Sequence, residues 1–269
     1  NDGLLHALWS KIRYNLPIIS VKHHYKKSVF GLYRNLCSNA IIEFGTKPLD
    51  NFSKNKSLIA NYAISVPAVM PDFKPWRNSN ILDHTNLDDP INLGFIGDIT
   101  NNNGAMVLVR VLGILRHKKK INICLIVEGE GRAIKNMQKL AKLHGVDDAI
   151  QFFGNHFADK QSLFKKIHIL CVPQLRNGCN IAILDGMAYN IPIVANRNRV
   201  NNNIIQHKYN GYLTESASHR DFAQLIEYVV KNMNEARQCA ERAYVYCKNN
   251  FSIHRLAKTI RTTLDQVNR

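Results

Sequence analysis

Acidic residues are scarce in this chain: 20 Asp and Glu stand against 36 Lys and Arg in 269 residues, a formal net charge of +16. Such an excess admits three anionic partners: nucleic acid, a membrane surface or a phosphorylated small molecule. Neither an RRM core nor a zinc finger accompanies the charge, so no specific nucleic-acid partner is expected. A composition biased toward Lys, Asn and Ile would produce the same excess, and the asparagine runs 101–103 and 201–203 fit that drift. Long apolar runs are missing too; none reaches the roughly 18 residues of a spanning helix. The opening stretch NDGLLHALWSKIRYNLP has an apolar face but lacks the basic start and the cleavage site of a signal peptide. CxxC pairs are absent. Cys37, Cys124, Cys171, Cys179, Cys239 and Cys247 lie scattered without a histidine at zinc-finger spacing, which points to buried free thiols in a reducing cytoplasm and to no metal site. No internal repeat is visible.

What is present, from about residue 90 onward, is an alternation of apolar strands and amphipathic helices. INLGFIG (91–97) is a strand and GAMVLVRVLGILRHKKK (104–120) a helix, with apolar residues three and four apart. Further strands are expected at 121–127, 149–154, 167–173, 191–195 and 211–214. Helices are expected up to about residue 143, then over 159–166, 181–189, 219–233, 234–248 and 253–267. Strands separated by helices require crossovers, hence a parallel sheet covered on both faces. Ligands bind such sheets at the carboxyl ends of the strands. The Gly- and Asn-rich loops 97–104, 128–132, 174–180 and 196–203 all fall at such ends and are expected to form one pocket. Before residue 66, LPIISVKHH, SVFGLYRNL and AIIEFG outline a partial second α/β unit, and the proline-rich VPAVMPDFKPW (66–76) marks a crossing between the halves.

In this order and spacing, these segments resemble the retaining, family-4 (group 1) glycosyltransferases of GT-B fold. The resemblance rests on VPAVMPDFKP, FIGDITNNNG, LIVEGEGR, HGVDDAIQFFGN, VPQLRNGCNIAILDGMAYNIPIVA, NGYLT and NNFSIHRLAKTIRTTL. It implies a partial N-terminal α/β domain over 1–66 and a linker over 67–90. A Rossmann-like nucleotide-sugar donor domain would follow over 91–248, and a closing helix over 249–269 would pack back on the first domain. The family begins with a further portion that carries a Gly-rich acceptor loop. Here it has no counterpart and the first residue is Asn1, so a truncated relative or the main piece of a longer chain is expected.

The resemblance also implies roles. The family's active-site histidine falls on His23, and the two acidic positions of its signature helix fall on Asn177 and Asp185. The first of these touches the sugar, the second the ribose. The backbone at Gly97, Gly104, Gly129 and Gly131, and the amides of Gly178, Cys179, Asn180 and Ile181, would approach the donor diphosphate. Several positions depart from the pattern. Asp98 and Asn103 stand where the family has Arg and Lys on the diphosphate, and Arg199, Val200 and Asn203 where it has a Gly-Gly pair and a Glu. Two lost charge-assisted hydrogen bonds amount to about 3–6 kcal/mol. Arg132, Arg176, Arg197 and Arg199, on the same set of loops, are candidates to restore the cation; the alternative is that they are ordinary solvated arginines. Asp185 has a plain reading as well, as a carboxylate complementing a helix dipole.

The implied substrate is a nucleotide sugar, with no other cofactor, and the implied acceptor is lipid-linked or a polysaccharide, as in envelope polysaccharide synthesis. Residues 1–66 hold nine Lys and Arg against three Asp and Glu, so an anionic membrane surface is a further candidate partner. A cytoplasmic protein, peripheral on the inner face of the membrane, is expected. The rival expectation is a catalytically inactive relative serving as a binding or partner subunit. A nucleic-acid binder, resting on charge alone, is the third.

Overall fold

The computed structural model describes residues 19–22, 40–44, 62–66, 89–100, 104–154, 160–174 and 181–252, and positions 254, 257, 258, 261, 262 and 265. The chain divides into two compact units, Asn1–Asp72 with Asn250–Arg269, and Phe73–Asn249.

In the first unit, β1 (Ile19–Lys22), β2 (Ala40–Phe44) and β3 (Tyr62–Val66) form a parallel three-stranded sheet in the order β1-β2-β3. The third strand is an addition to what the sequence suggested. YAISV runs directly into the proline-rich stretch, and those turn signals mask a short strand just before them. His23, the helix expected at SVFGLYRNL and the linker 67–88 lie outside the described residues.

The second unit is built on six parallel strands in the order β6-β5-β4-β7-β8-β9. These are β4 (Ile91–Ile96), β5 (Ile123–Glu128), β6 (Ile150–Gly154), β7 (Ile169–Val172), β8 (Ile193–Asn196) and β9 (Tyr212–Thr214). The helices are α1 (Ala105–Gly113), α2 (Ile134–Leu143), α3 (Lys160–Phe164), α4 (Ile181–Ala188), α5 (Asn201–Ile204), α6 (His219–Lys231) and α7 (Met233–Asn250). β7 and β8 are buried along their whole length, as expected of strands covered on both faces. Leu93, Leu125, Val127, Ile169 and Val194 join residues of α1 and α6 in one core.

The helix expected over 104–120 stops being α-helical at Gly113 and continues as a π turn, Ile114–Lys118. The wider turn solves a local conflict. Leu115 stays fully buried while the basic run from Arg116 to Lys120 leaves the core, and the Lys119 amide donates to Ile114 O at 3.1 Å. Lys119 then reaches Glu227 of α6, 2.8 Å away. α6 begins on an N-cap in which Ser218 Oγ accepts from the Asp221 amide at 3.1 Å. α4 buries every residue from Ala182 to Met187, which fits its apolar sequence. Among the described residues, no helix is long and apolar enough to cross a membrane.

Candidate functional site

The strand order places a topological switch between β4 and β7. From β4 the chain proceeds to β5 and β6 on one side; it then returns to β7 and builds β8 and β9 on the other. Loops that leave neighbouring strands in opposite directions open a crevice at the carboxyl ends of those strands. The loops after β4, β5, β7 and β8 begin at Gly97, Gly129, Pro173 and Arg197, so the four that the sequence singled out do emerge at one edge.

On the β4–β5 side this edge is held together by main chain. The Gly97 amide donates to Glu128 O at 3.0 Å, and the Ile99 amide to Glu130 O at 2.8 Å. The backbones lie so close that a Cβ on Gly129 would overlap Gly97 O, and one on Gly131 would overlap Ile99 O. Gly104 has a left-handed backbone (φ 77°), and a Cβ there would overlap Pro173 O, so only glycine lets the β4 loop lie against the β7 loop. Around Gly97 the situation reverses: among the described residues, a Cβ would meet nothing within 4 Å.

On the β8 side the joints are side-chain amides. Asn198 Oδ1 accepts from the amides of Val200 and Asn201 at 2.9 and 2.8 Å and so starts α5. Asn201 is fully buried, and its Nδ2 donates to Asn196 O at 2.8 Å. One expectation is thereby corrected: the segment 196–203 is not all loop, because α5 begins at Asn201, whose side chain ties it to the end of β8. The signal that could have revealed this is an Asn-x-Asn-x-x-Asn spacing directly after an apolar strand.

α4 starts at this edge. Its first residue, Ile181, is 56% exposed. Asp185, the fifth residue, is only 4% exposed. Beneath it, Cys247 of α7 donates its thiol to Leu184 O at 3.7 Å. Burial, with the Asp185 carboxylate acting in the same sense, pushes that thiol up to about 12. Cys171 and Cys239 are free and buried as well, and their thiols are pushed up by the same desolvation, so none of the three is a nucleophile at neutral pH.

Of the residues singled out in the sequence, the structure brings Gly97, Gly104, Gly129 and Gly131 into the stitched edge, with exposed Arg132 next to it. It places exposed Arg199 in the turn before α5, and Ile181 and Asp185 on α4. Arg197 is engaged elsewhere, in an exposed ion pair with Glu215 at 2.9 Å. Asn103, Arg176, Asn177, Gly178, Cys179 and Asn180, like His23, lie outside the described residues.

Comparison with known proteins agrees with this architecture. The profile of the family described as glycosyl transferases group 1 matches residues 78–246. Over 149 residues the chain is 24% identical to an uncharacterized glycosyltransferase of Haemophilus influenzae, covering 55% of this chain and 42% of that protein. The chain thus spans less than half the length of this relative. Among solved structures, Anabaena HepE in complex with UDP superposes with a TM-score of 0.83 at 15% identity, over 98% of this chain and 76% of that one. A glycosyltransferase from Rickettsia africae gives 0.77 at 16%, over 100% and 81%. Such identities establish the fold alone. The family profile spans more than half of the chain, and the parallel Rossmann-like sheet with its stitched loops is of the GT-B kind: the chain belongs to the group 1 glycosyl transferases.

Proposed function

We propose that the carboxyl-end edge of the six-stranded sheet grips the diphosphate of a nucleotide sugar, and that the chain passes the sugar to a lipid-linked or polysaccharide acceptor with retained configuration. The observation that carries this reading is the switch point between β4 and β7, in a member of this family, with an uncrowded Gly97 and the exposed first residue of α4, Ile181, at the same sheet edge. UDP is the nucleotide to try first, because the Anabaena protein was crystallised with it.

In this reading the main chain at Gly97, Gly104, Gly129 and Gly131 approaches the nucleotide closely. The amides of Gly178, Cys179, Asn180 and Ile181 hold the diphosphate. Asp185 accepts hydrogen bonds from ribose hydroxyls, while Asn177 and His23 hold the transferred sugar. Arg132, Arg176 and Arg199 supply positive charge. The bond from the anomeric carbon to the diphosphate oxygen breaks, and the acceptor oxygen bonds to that carbon on the same face. The departing diphosphate takes the acceptor's proton. The protein positions the partners and neutralises the leaving group. The basic residues of 1–66 rest the chain on the inner face of a membrane, from the cytoplasm.

A second reading, an inactive binding or partner subunit, is favoured by one observation. Exposed Asp98 opens the loop after β4, where a carboxylate repels a diphosphate. Release of UDP from UDP-sugars by the purified chain separates the two. Turnover that falls at least about tenfold in Asp185→Asn and in Arg199→Ala supports the enzyme. Nucleotide binding without turnover supports the subunit.

A further inference from the structure

At the opposite edge of the second unit, away from the strand-end loops, the molecule presents a basic face that the glycosyltransferase reading does not use. α2 runs back from the end of β5 toward the start of β6, so its last turn lies at the amino-end edge. It buries Met137 and Ala141 on one side. Lys139 and Lys142, in its second half, are exposed and three residues apart, and therefore share one side of the helix. The helix has no acidic residue, and its last residue, Leu143, is 80% exposed. Just beyond it, His117 Nε2 lies 3.0 Å from His144 O, which fastens the π turn to the end of α2 and brings exposed Lys118 and Lys120 to the same face.

The nearby acids do not neutralise this face. Asp148 is paired with Arg116 at 2.8 Å, and Glu227 with Lys119 and Lys231 at 2.8 and 2.7 Å, leaving exposed Asp147 as the remaining carboxylate of the 131–149 segment. None of Lys118, Lys120, Lys139 and Lys142 has an ion-pair partner among the described residues.

We propose that this face docks on a bilayer that carries anionic headgroups. Two features select a lipid surface over nucleic acid. The free charges are lysines, flexible and strongly hydrated, rather than the arginines that bind phosphates in fixed bidentate geometry. An apolar side chain stands exposed among them, where it enters the headgroup boundary while the lysine stems lie alongside. Docking through the amino-end edge leaves the nucleotide edge of the same unit open.

The test is co-sedimentation of the full chain with vesicles of phosphatidylcholine containing about 30% phosphatidylglycerol, at low and at high salt, beside pure phosphatidylcholine. The wild type binds the anionic vesicles and is released by salt. Lys118→Gln with Lys139→Gln and Lys142→Gln weakens binding about a hundredfold. Leu143→Ser weakens it about threefold, whereas Lys208→Gln with Lys248→Gln, elsewhere on the surface, leaves it unchanged. Unaltered thermal melting shows that the variants are folded. A triple variant that binds as tightly as the wild type, a wild type that ignores anionic vesicles, or one that duplex DNA draws off them would overturn the proposal.

Discussion

The two halves of the carboxyl-end edge are joined by different means. Between β4 and β5 the loops meet main chain to main chain, through amide–carbonyl bonds at Gly97 and Ile99 and contacts that leave no room for a Cβ at Gly129 or Gly131. At β8 the loop is closed by the side chains of Asn198 and Asn201. A main-chain joint has no adjustable part, so any side chain forces the backbone to move. A side-chain joint loses a hydrogen bond or two when altered and keeps its path. The edge therefore has one rigid wall and one that side-chain changes can rework.

That contrast orders the expected losses. Gly104→Ala adds a Cβ that overlaps Pro173 O at a backbone conformation L-residues disfavour, and it should cost more than about 3 kcal/mol in urea unfolding. A cost below about 1 kcal/mol would show that the first wall yields after all. Asn201→Ala removes a fully buried amide and leaves Asn196 O without that donor, for about 1–3 kcal/mol. Asn198→Ala removes the acceptor of the Val200 and Asn201 amides and should cost about 1 kcal/mol, read from the same curves. If the two asparagine variants cost as much as Gly104→Ala, the distinction between the walls fails.

The smallest effect is one of pH. His207 Nδ1 accepts from the Leu213 amide at 2.9 Å, so the ring is neutral at that nitrogen. Burial first, then the charges of Arg197 and Lys208, hold its pKa below the ordinary histidine value. Between the ordinary value and the lowered one, the unfolded chain binds more protons than the folded chain. Stability is thus lost as pH falls through that window. The melting temperature should drop from about pH 7 to about pH 5, and His207→Asn, which keeps an acceptor but does not titrate, should flatten the slope. An unchanged slope would remove His207 from the account.

The alternation of elements was legible because strands buried on both faces are continuous apolar runs, and because the glycines at 97, 104, 129 and 131 punctuate them where the chain must turn. What escaped the sequence depends on contacts between distant residues. The π turn answers a demand from Leu115 and from Glu227, more than a hundred residues away, which no local period encodes. Strand β3 was hidden by the prolines that follow it. Asn201 looked like one of many asparagines until its burial beneath β8 distinguished it. Asp185 could be placed on its helix from the sequence, but its burial could not.

The most direct measurement is a thermal-shift titration of the purified chain with nucleoside diphosphates and nucleotide sugars, read against free phosphate and free sugars. The expected result is that at least one nucleotide raises the melting temperature, by the equivalent of about 2.7 kcal/mol at a hundred times its dissociation constant, and that Asp185→Asn diminishes the shift. If no nucleotide stabilises the wild type, the crevice between β4 and β7 is not a donor site, and the family fold is present without the family's binding.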